Sequence, residues 1–593
     1  MAAAGRTASK VAWLASALAA VLVAASGLHA ATLPPVAARN GMVVAEQRRA
    51  AEIGVAILEA GGNAIDAAVA VGYALAVVHP CCGNLGGGGF MTIHLADGRD
   101  TFLNFREKAP LAASEAMYLD AKGDVVPGRS TRGYLAVGVP GSALGLDTAL
   151  VRYGTMSRAQ IMAPAIRLAR EGFVLGQGDV DILDSGVKSF AEEPNVAAVF
   201  LKGGMPYRAG DRLVQPQLAA TLETLAKDGP DALYRGKLGA AVVAASRAAG
   251  GILAEADFAR YTVEETTPVR CTYRGLTIIS APPPSSGGTT LCEILTILQP
   301  YPMAELGFHS ARGIHLMVEA MRHAYVDRNA YLGDPDFVAN PLERLLSEDH
   351  AAAIRAAIDD RRATPSRTLG AGTPPHEGGN TTHYSVVDKA GNAVAVTYTI
   401  NSYFGAKVIA GDTGFFLNDE MDDFTAKPGV PNMFGLVQGA ANAIRPGKRP
   451  LSSMSPTIVL RDGKPFIVTG SPGGPRIITI VLEAIVNVVD HHMSVAAAID
   501  APRIHHQWLP DLIYAEPFAL SPDTARLLGE MGYEIAQQTP WGAAETIFVA
   551  PPSPRGATMA SSGDDSSRGG NFEPGTLYGA NDARRPAGAA IGY

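Results

Sequence analysis

Residues 362–400 read RATPSRTLGAGTPPHEGGNTTHYSVVDKAGNAVAVTYTI. The first half, through Asn380, has no periodic apolar positions, and its prolines and glycines mark an exposed linker. At Thr381 the pattern changes abruptly. Thr382 to Val387 alternates, Asp388-Lys389-Ala390-Gly391-Asn392 turns, and Ala393 to Ile400 alternates again. A β-hairpin therefore opens on a threonine at the end of a linker. If the Asn380–Thr381 bond is cut, Thr381 gains a free α-amine beside its own hydroxyl. The hydroxyl is then a nucleophile, and the amine, whose reference pKa is about 7.7–8.0, is its base. No protease is needed: the hydroxyl attacks the preceding carbonyl, water opens the ester, and Gly378-Gly379 permits the bent backbone. An isolated threonine at a strand start is only a good β-former, so the rest of the chain must decide.

The chain has 593 residues, too many for one hydrophobic core, so two domains or one large layered sandwich is expected. With 47% hydrophobic and 18% charged residues it suits a globular enzyme. At the N-terminus, Arg6 and Lys10 precede an uncharged apolar run from Val11 to Gly27, and Leu28-His29-Ala30 offers a cleavage position. This reads as a secretory signal over residues 1–30, with a membrane anchor as the competing reading. Its removal takes away Arg6 and Lys10 and no acid, moving the net charge from -8 to -10. A nucleic-acid partner is therefore excluded on charge.

Residues 47–60 have helical spacing and stop at Gly61-Gly62, and a second, apolar helix runs from Ala64 to His79-Pro80. Asn84 to Gly89 is a glycine loop without a nucleotide-binding pattern. Met91–Leu95 and Thr101–Arg106 form a hairpin, residues 140–260 and 310–331 are helical, and Pro282 to Gly288 is a rigid loop before another helix. The stretch 551–576 is of low complexity and reads as a surface loop. Cys81, Cys82, Cys271 and Cys292 allow three pairings, or four buried thiols. His491-His492 and His505-His506 are adjacent pairs without chelating spacing, so neither a metal nor any other cofactor is expected. Alternation puts His383 on the face of Thr381, where packing is its expected role.

Further motifs follow in order. They are Gly83 to Phe90, Phe105-Arg106-Glu107, Leu332 to Phe337, Asn418 to Phe424, Arg449 to Pro456, Gly470-Ser471-Pro472-Gly473-Gly474, and the tail with Tyr578-Gly579-Ala580 and Gly592-Tyr593. Together with Thr381 to Asp388, this set resembles the γ-glutamyltransferase (γ-glutamyltranspeptidase) family, of bacterial type, within the N-terminal nucleophile hydrolases. The likeness spans nearly the whole mature chain. It implies an α+β fold, a four-layer αββα sandwich, with a heavy subunit of residues 31–380 and a light, catalytic subunit of 381–593 forming a heterodimer.

By resemblance, Thr381 is the nucleophile and Thr399 holds it by a hydrogen bond. Arg106 binds the substrate α-carboxylate with Ser452 and Ser453, because a guanidinium clamps a carboxylate with two parallel bonds. Asn401, Glu420 and Asp423 bind the α-ammonium; Glu420 is the form of animal members, where some bacterial members carry Gln. Gly473 and Gly474 supply the oxyanion hole. The expected substrates are glutathione and other γ-glutamyl compounds, with water or an amino acid or dipeptide as acceptor, in the periplasm or secreted. Two departures stand out: Phe434 replaces a gating tyrosine in the lid over Pro428 to Gly439, and 551–576 is an insertion. The rivals are a glutaryl-type (cephalosporin) acylase of the same fold and a non-catalytic γ-glutamyl-binding protein.

Overall fold

The computed structural model describes residues 32–370, 381–551 and 572–593. The expected leader, residue Asn380 and most of the 551–576 insertion lie outside them.

Two seven-stranded antiparallel sheets stack face to face. One runs in the order Ala589–Gly592, Gly41–Ala45, Thr382–Asp388, Ala393–Thr399, Gly88–His94, Asp100–Asn104, Glu264–Thr266. The other runs Val36–Ala38, Leu577–Ala580, Thr546–Val549, Lys464–Thr469, Thr457–Arg461, Leu276–Ser280, Val269–Tyr273. Stretches from both sides of residue 380 thus share each sheet, and residues 35–593 cluster as one unit.

Strand alternation assigns the layers. Val43, Ala45, Tyr384, Val386, Val394 and Val396 face outward onto helices. Their neighbours Met42, Val44, Val387, Ala393 and Ala395 face inward, against Ile279, Ile458, Val468 and Ile547 of the other sheet. Both faces are covered, which is why these strands read as nearly continuous apolar runs. Each fully buried aliphatic side chain contributes about 1.5–3 kcal/mol. The helices over the first sheet are α1 (Arg48–Glu59) and α2 (Ala64–Val78), the second wholly buried. A capping box between Asn63 and Asp66 fixes the start of α2. Over the second sheet lie α3 (Gly287–Leu298), α4 (Ala311–Tyr331), α5 (Glu348–Ala357) and α6 (Ile477–Val489). The expected four layers, helix, sheet, sheet, helix, are present, and residues 140–260 are largely helical as read.

The space between the sheets changes character along its length. Beyond Val387 the same inward face carries Ser385, His383 and Thr381. The Ser385 hydroxyl donates across the gap to the Glu545 carbonyl at 2.8 Å, and His383 Nδ1 lies 2.8 Å from Thr397 Oγ1. The expected packing role of His383 fits this burial. At this polar end the glycine loop comes close: a Cβ on Gly87 would stand 1.9 Å from the Thr399 carbonyl oxygen, and one on Gly86 2.2 Å from that of Phe416. No side chain fits there.

Three expectations are refined. The linker read over 362–380 is not exposed throughout, because Ser366 is buried. Its amide donates to Asp511 Oδ2 at 2.7 Å, its carbonyl accepts from Trp508 Nε1 at 2.9 Å, and Arg322 holds its hydroxyl. Polar pairing, invisible to apolar periodicity, anchors it. At the end of the 551–576 insertion, Phe572 packs on Phe548 and Tyr578 at 4.8 and 4.7 Å between ring centres. Of the cysteines, Cys271 and Cys292 are bonded and Cys81 and Cys82 are buried thiols.

The Gly87 contact is tested by Gly87→Ala. Overpacking against a fixed carbonyl is expected to cost about 1–3 kcal/mol, read as a lower midpoint in chemical unfolding; an unchanged midpoint contradicts the close approach.

Candidate active site

The hairpin register builds the centre. Thr382 pairs with Tyr398 across the ladder, so Thr381 and Thr399 occupy the next rung. Thr381 is 5% exposed, and its hydroxyl donates to Thr399 Oγ1 at 3.3 Å. Thr399 Oγ1 in turn accepts from the Asn401 amide at 2.8 Å. Asn401 has a φ of 73°, a left-handed conformation that asparagine tolerates better than most residues. That turn swings its side chain inward, where Nδ2 donates to the Asp419 carbonyl at 3.0 Å.

Beside these residues a cavity opens. Its lining includes Thr381, Thr399, Arg106, Asn401, Glu420, Asp423, Ser452, Ser453 and Gly474. Every expected site residue except Gly473 therefore reaches the wall, and Gly473 adjoins it in the chain.

Arg106 is fully buried. Its Nη1 donates to Glu420 Oε1 at 2.7 Å, its Nη2 to Asp423 Oδ2, and its Nε to the Pro450 carbonyl at 3.3 Å. Arg106, expected to bind a carboxylate, and Glu420 and Asp423, expected to bind an ammonium, thus form one network rather than two separate poles. Glu107 Oε2 adds a third acid, 3.5 Å from Nη1. Burial pushes all three carboxyls up against the opposing pull of Arg106: Glu107 to about 8, with Glu420 and Asp423 also raised. Glu420 Oε2 and Glu107 Oε1 are buried without a hydrogen-bond partner. Arg106 thus satisfies one oxygen of Glu420 and leaves the other unpaired beside the cavity.

The opposite wall comes from loops locked together. Ser286 donates from both its amide and its hydroxyl to the Ser452 carbonyl, at 2.8 and 2.7 Å. The loop at Pro282 to Gly288 thereby holds the Ser452-Ser453 loop. Gly473 and Gly474 have φ values of 136° and 57°, open to glycine, and lead through a short turn into α6. The amides at such a helix start have no intrahelical acceptors and carry its positive partial charge. Phe434, in the expected lid, is buried and joins Leu436 in the apolar part of the lining.

Sequence reading missed Arg328. It projects from α4 into the lining, donating to Ser453 Oγ at 3.0 Å and Ser286 Oγ at 3.0 Å. Burial lowers its pKa to about 10. One signal was available: positions three and four residues away hold Ala324, Tyr325, Tyr331 and Leu332, so this helical arginine has no acid at salt-bridge spacing.

Among the described residues no helix is long and apolar enough to cross a membrane. A family model described as Gamma-glutamyltranspeptidase matches residues 50–574. A glutathione hydrolase proenzyme of Pseudomonas sp. (strain A14) is 56% identical over 567 residues, covering 95% of this chain and 96% of the relative. A glutathione hydrolase proenzyme of Escherichia coli (strain K12) is 46% identical over 569 residues, covering 96% and 94%. Among solved structures, cephalosporin acylase from Bacillus halodurans matches with a TM-score of 0.80 at 26% identity, covering 96% of this chain and 98% of that one.

His383, on the strand Thr382–Asp388, carries a pH prediction. Burial lowers its pKa from 6.5 to about 3. The unfolded chain binds a proton there below about 6.5 while the folded chain stays neutral. Its contribution is therefore complete above that value and lost as pH falls toward 3. His383→Gln is expected to flatten the fall in unfolding free energy between about pH 6.5 and 4; an unchanged slope contradicts it.

Proposed function

Because the chain belongs to the gamma-glutamyltranspeptidase family, we propose that the cavity beside Thr381 holds a γ-glutamyl group for attack by that threonine. The chain is an enzyme that cleaves the γ-glutamyl amide of glutathione and related compounds. One observation carries the assignment of the cavity: Glu420, with a buried and partnerless carboxylate oxygen, sits against Arg106. A γ-glutamyl group brings an α-ammonium for that oxygen, with Asp423 and Asn401 beside it, and an α-carboxylate that exchanges for the acids on Arg106 and meets Ser452 and Ser453.

Thr381 Oγ attacks the γ-carbonyl, and the developing oxyanion is met by the amides of Gly473 and Gly474. Each such donor is worth about 2.7–4 kcal/mol of transition-state stabilisation. The Thr381 α-amine, freed when the Asn380–Thr381 bond opens, takes the hydroxyl proton and passes it to the leaving amine. Thr399 keeps the hydroxyl in line. The γ-glutamyl ester then goes to water, or to an amino acid or dipeptide, in two half-reactions. Arg328, through Ser453, supports the carboxylate end. Residues 31–380 and 381–593 form the heavy and light subunits of a heterodimer. Export to the periplasm or beyond follows from the leader over residues 1–30, and the Cys271–Cys292 bond suits an oxidising compartment.

The fold likeness to a cephalosporin acylase keeps a second reading in view, a glutaryl donor. A glutaryl group has no α-ammonium and would leave Glu420 unsatisfied.

Thr381→Ala is expected to remain a single chain by mass spectrometry and to lose on the order of 10⁴-fold or more in turnover; normal processing in this variant removes Thr381 as the cutting residue. With paired anilides, γ-glutamyl is expected to be cleaved in preference to glutaryl. Asp423→Asn is expected to raise the KM for the γ-glutamyl anilide about 10- to 100-fold, the loss of one charge-assisted bond. A preference for glutaryl overturns the γ-glutamyl reading.

A further inference from the structure

Behind the wall that carries Arg328, three helices bring together groups that the reaction does not use. Glu293 comes from α3, Asp327 from α4 and His350 from α5. His350 Nε2 lies 2.8 Å from Asp327 Oδ2 and 3.5 Å from Glu293 Oε1. One ligand atom from each of the three lies within 4.8 Å of the other two. The Glu293 side chain is only 1% exposed, and its Oε1 has no hydrogen bond of acceptable geometry. Asp327 and His350 are 13% and 17% exposed, so the cluster is reached from solvent along that edge.

A protonated imidazole alone serves this arrangement poorly. Nε2 carries one proton and can aim it at one carboxylate, and its shorter contact is to Asp327. Glu293 is left as a buried acid beside a second acid, and burial foremost pushes it up to about 8. A cation at the centre of the three atoms bonds all of them at once. Tetrahedral N and O ligands bound at about 2.0–2.2 Å stand roughly 3.3–3.5 Å apart, and the two measured separations bracket that value to within a small side-chain movement. One nitrogen and two carboxylate oxygens suit a borderline dication better than a soft one.

We propose that Glu293, Asp327 and His350 form a binding site for a divalent transition-metal cation of the Zn²⁺ type, distinct from the substrate cavity. His323, one helical turn before Asp327 on α4 and with Nε2 buried and unpartnered, is the nearest further donor by helix spacing. The site sits at a junction held rigid from two sides. Cys292, next to Glu293, is bonded to Cys271 of the second sheet, and Asp327 immediately precedes Arg328 in α4. The charged or titratable groups beside the cluster are Arg344, whose Nη2 is 3.9 Å from Asp327 Oδ1, and His323 on α4.

The test is titration of the untagged, full-length enzyme with Co²⁺ at about pH 8, followed by d–d absorption, with Zn²⁺ competition by calorimetry. One equivalent is expected to bind through nitrogen and oxygen ligands. His350→Ala and Glu293→Gln are each expected to weaken binding at least about tenfold while donor turnover stays at the parent level, which shows that both variants fold. Absence of binding up to about 1 mM, a dissociation free energy under about 4 kcal/mol, overturns the proposal. So does unchanged affinity in both variants. So does a thiolate-to-cobalt charge-transfer band, which would put the metal on the Cys81–Cys82 pair beside His79.

Discussion

One buried arginine joins the two halves of the sequence. Arg106 lies in the part before residue 380, while Glu420, Asp423 and the Pro450 carbonyl that hold it lie after it. A buried ion pair of this kind adds little net stability over an apolar contact, but removing one partner strands the other and costs about 3–5 kcal/mol. The arrangement is therefore better understood as specification than as reinforcement. It fixes where the loop over residues 418–424 sits relative to the first sheet, and so sets the distance between the charged end of the cavity and the Thr381 hydroxyl. The Glu420 oxygen that Arg106 does not reach remains a hydrogen-bonding position open toward the cavity.

The position of Thr381 depends on a different constraint, backbone against backbone. The strand Ala393–Thr399 lies between Thr382–Asp388 and Gly88–His94, and the glycine loop closes on its end with no room for a Cβ. Thr399 is thereby fixed by its main chain, and its side chain can hold Thr381. The interior between the sheets supports this by turning from apolar contacts at Val387 to hydrogen bonds at Ser385 and His383. The polar side chains on this inward face thus pair with one another and with the Glu545 carbonyl.

Much of this was legible in the sequence because it rests on local signals. The period-2 pattern after Thr381, the glycine and proline breaks and the helical spacing over 47–60 and 310–331 are all written in neighbouring residues, and they gave individual elements, while the four layers came from the family resemblance. The cavity residues were legible as a set only because motifs far apart in the chain recur in a known order. What stayed hidden depends on tertiary partners. Arg328 looked like one more charge on a helix until Ser453 and Ser286 were placed beside it. Ser366 sat in what read as an open linker, since its anchors, Arg322, Trp508 and Asp511, are distant in sequence. The contact between Arg106 and the two acids could not be derived from residue types that were each expected to face a ligand. The cysteine pairing was open for the same reason.

The strand order has a consequence for the life of the molecule after maturation. In the first sheet, Gly41–Ala45 is flanked by Ala589–Gly592 and Thr382–Asp388, and in the second, Val36–Ala38 and Leu276–Ser280 bracket a block of four later strands. Opening the peptide bond ahead of Thr381 would yield two polypeptides threaded through each other like the fingers of clasped hands. Neither could depart, or be swapped for a fresh copy, without unzipping both sheets. Such a pair is committed for its lifetime, and its turnover in the cell must proceed by destruction of the whole rather than replacement of a part.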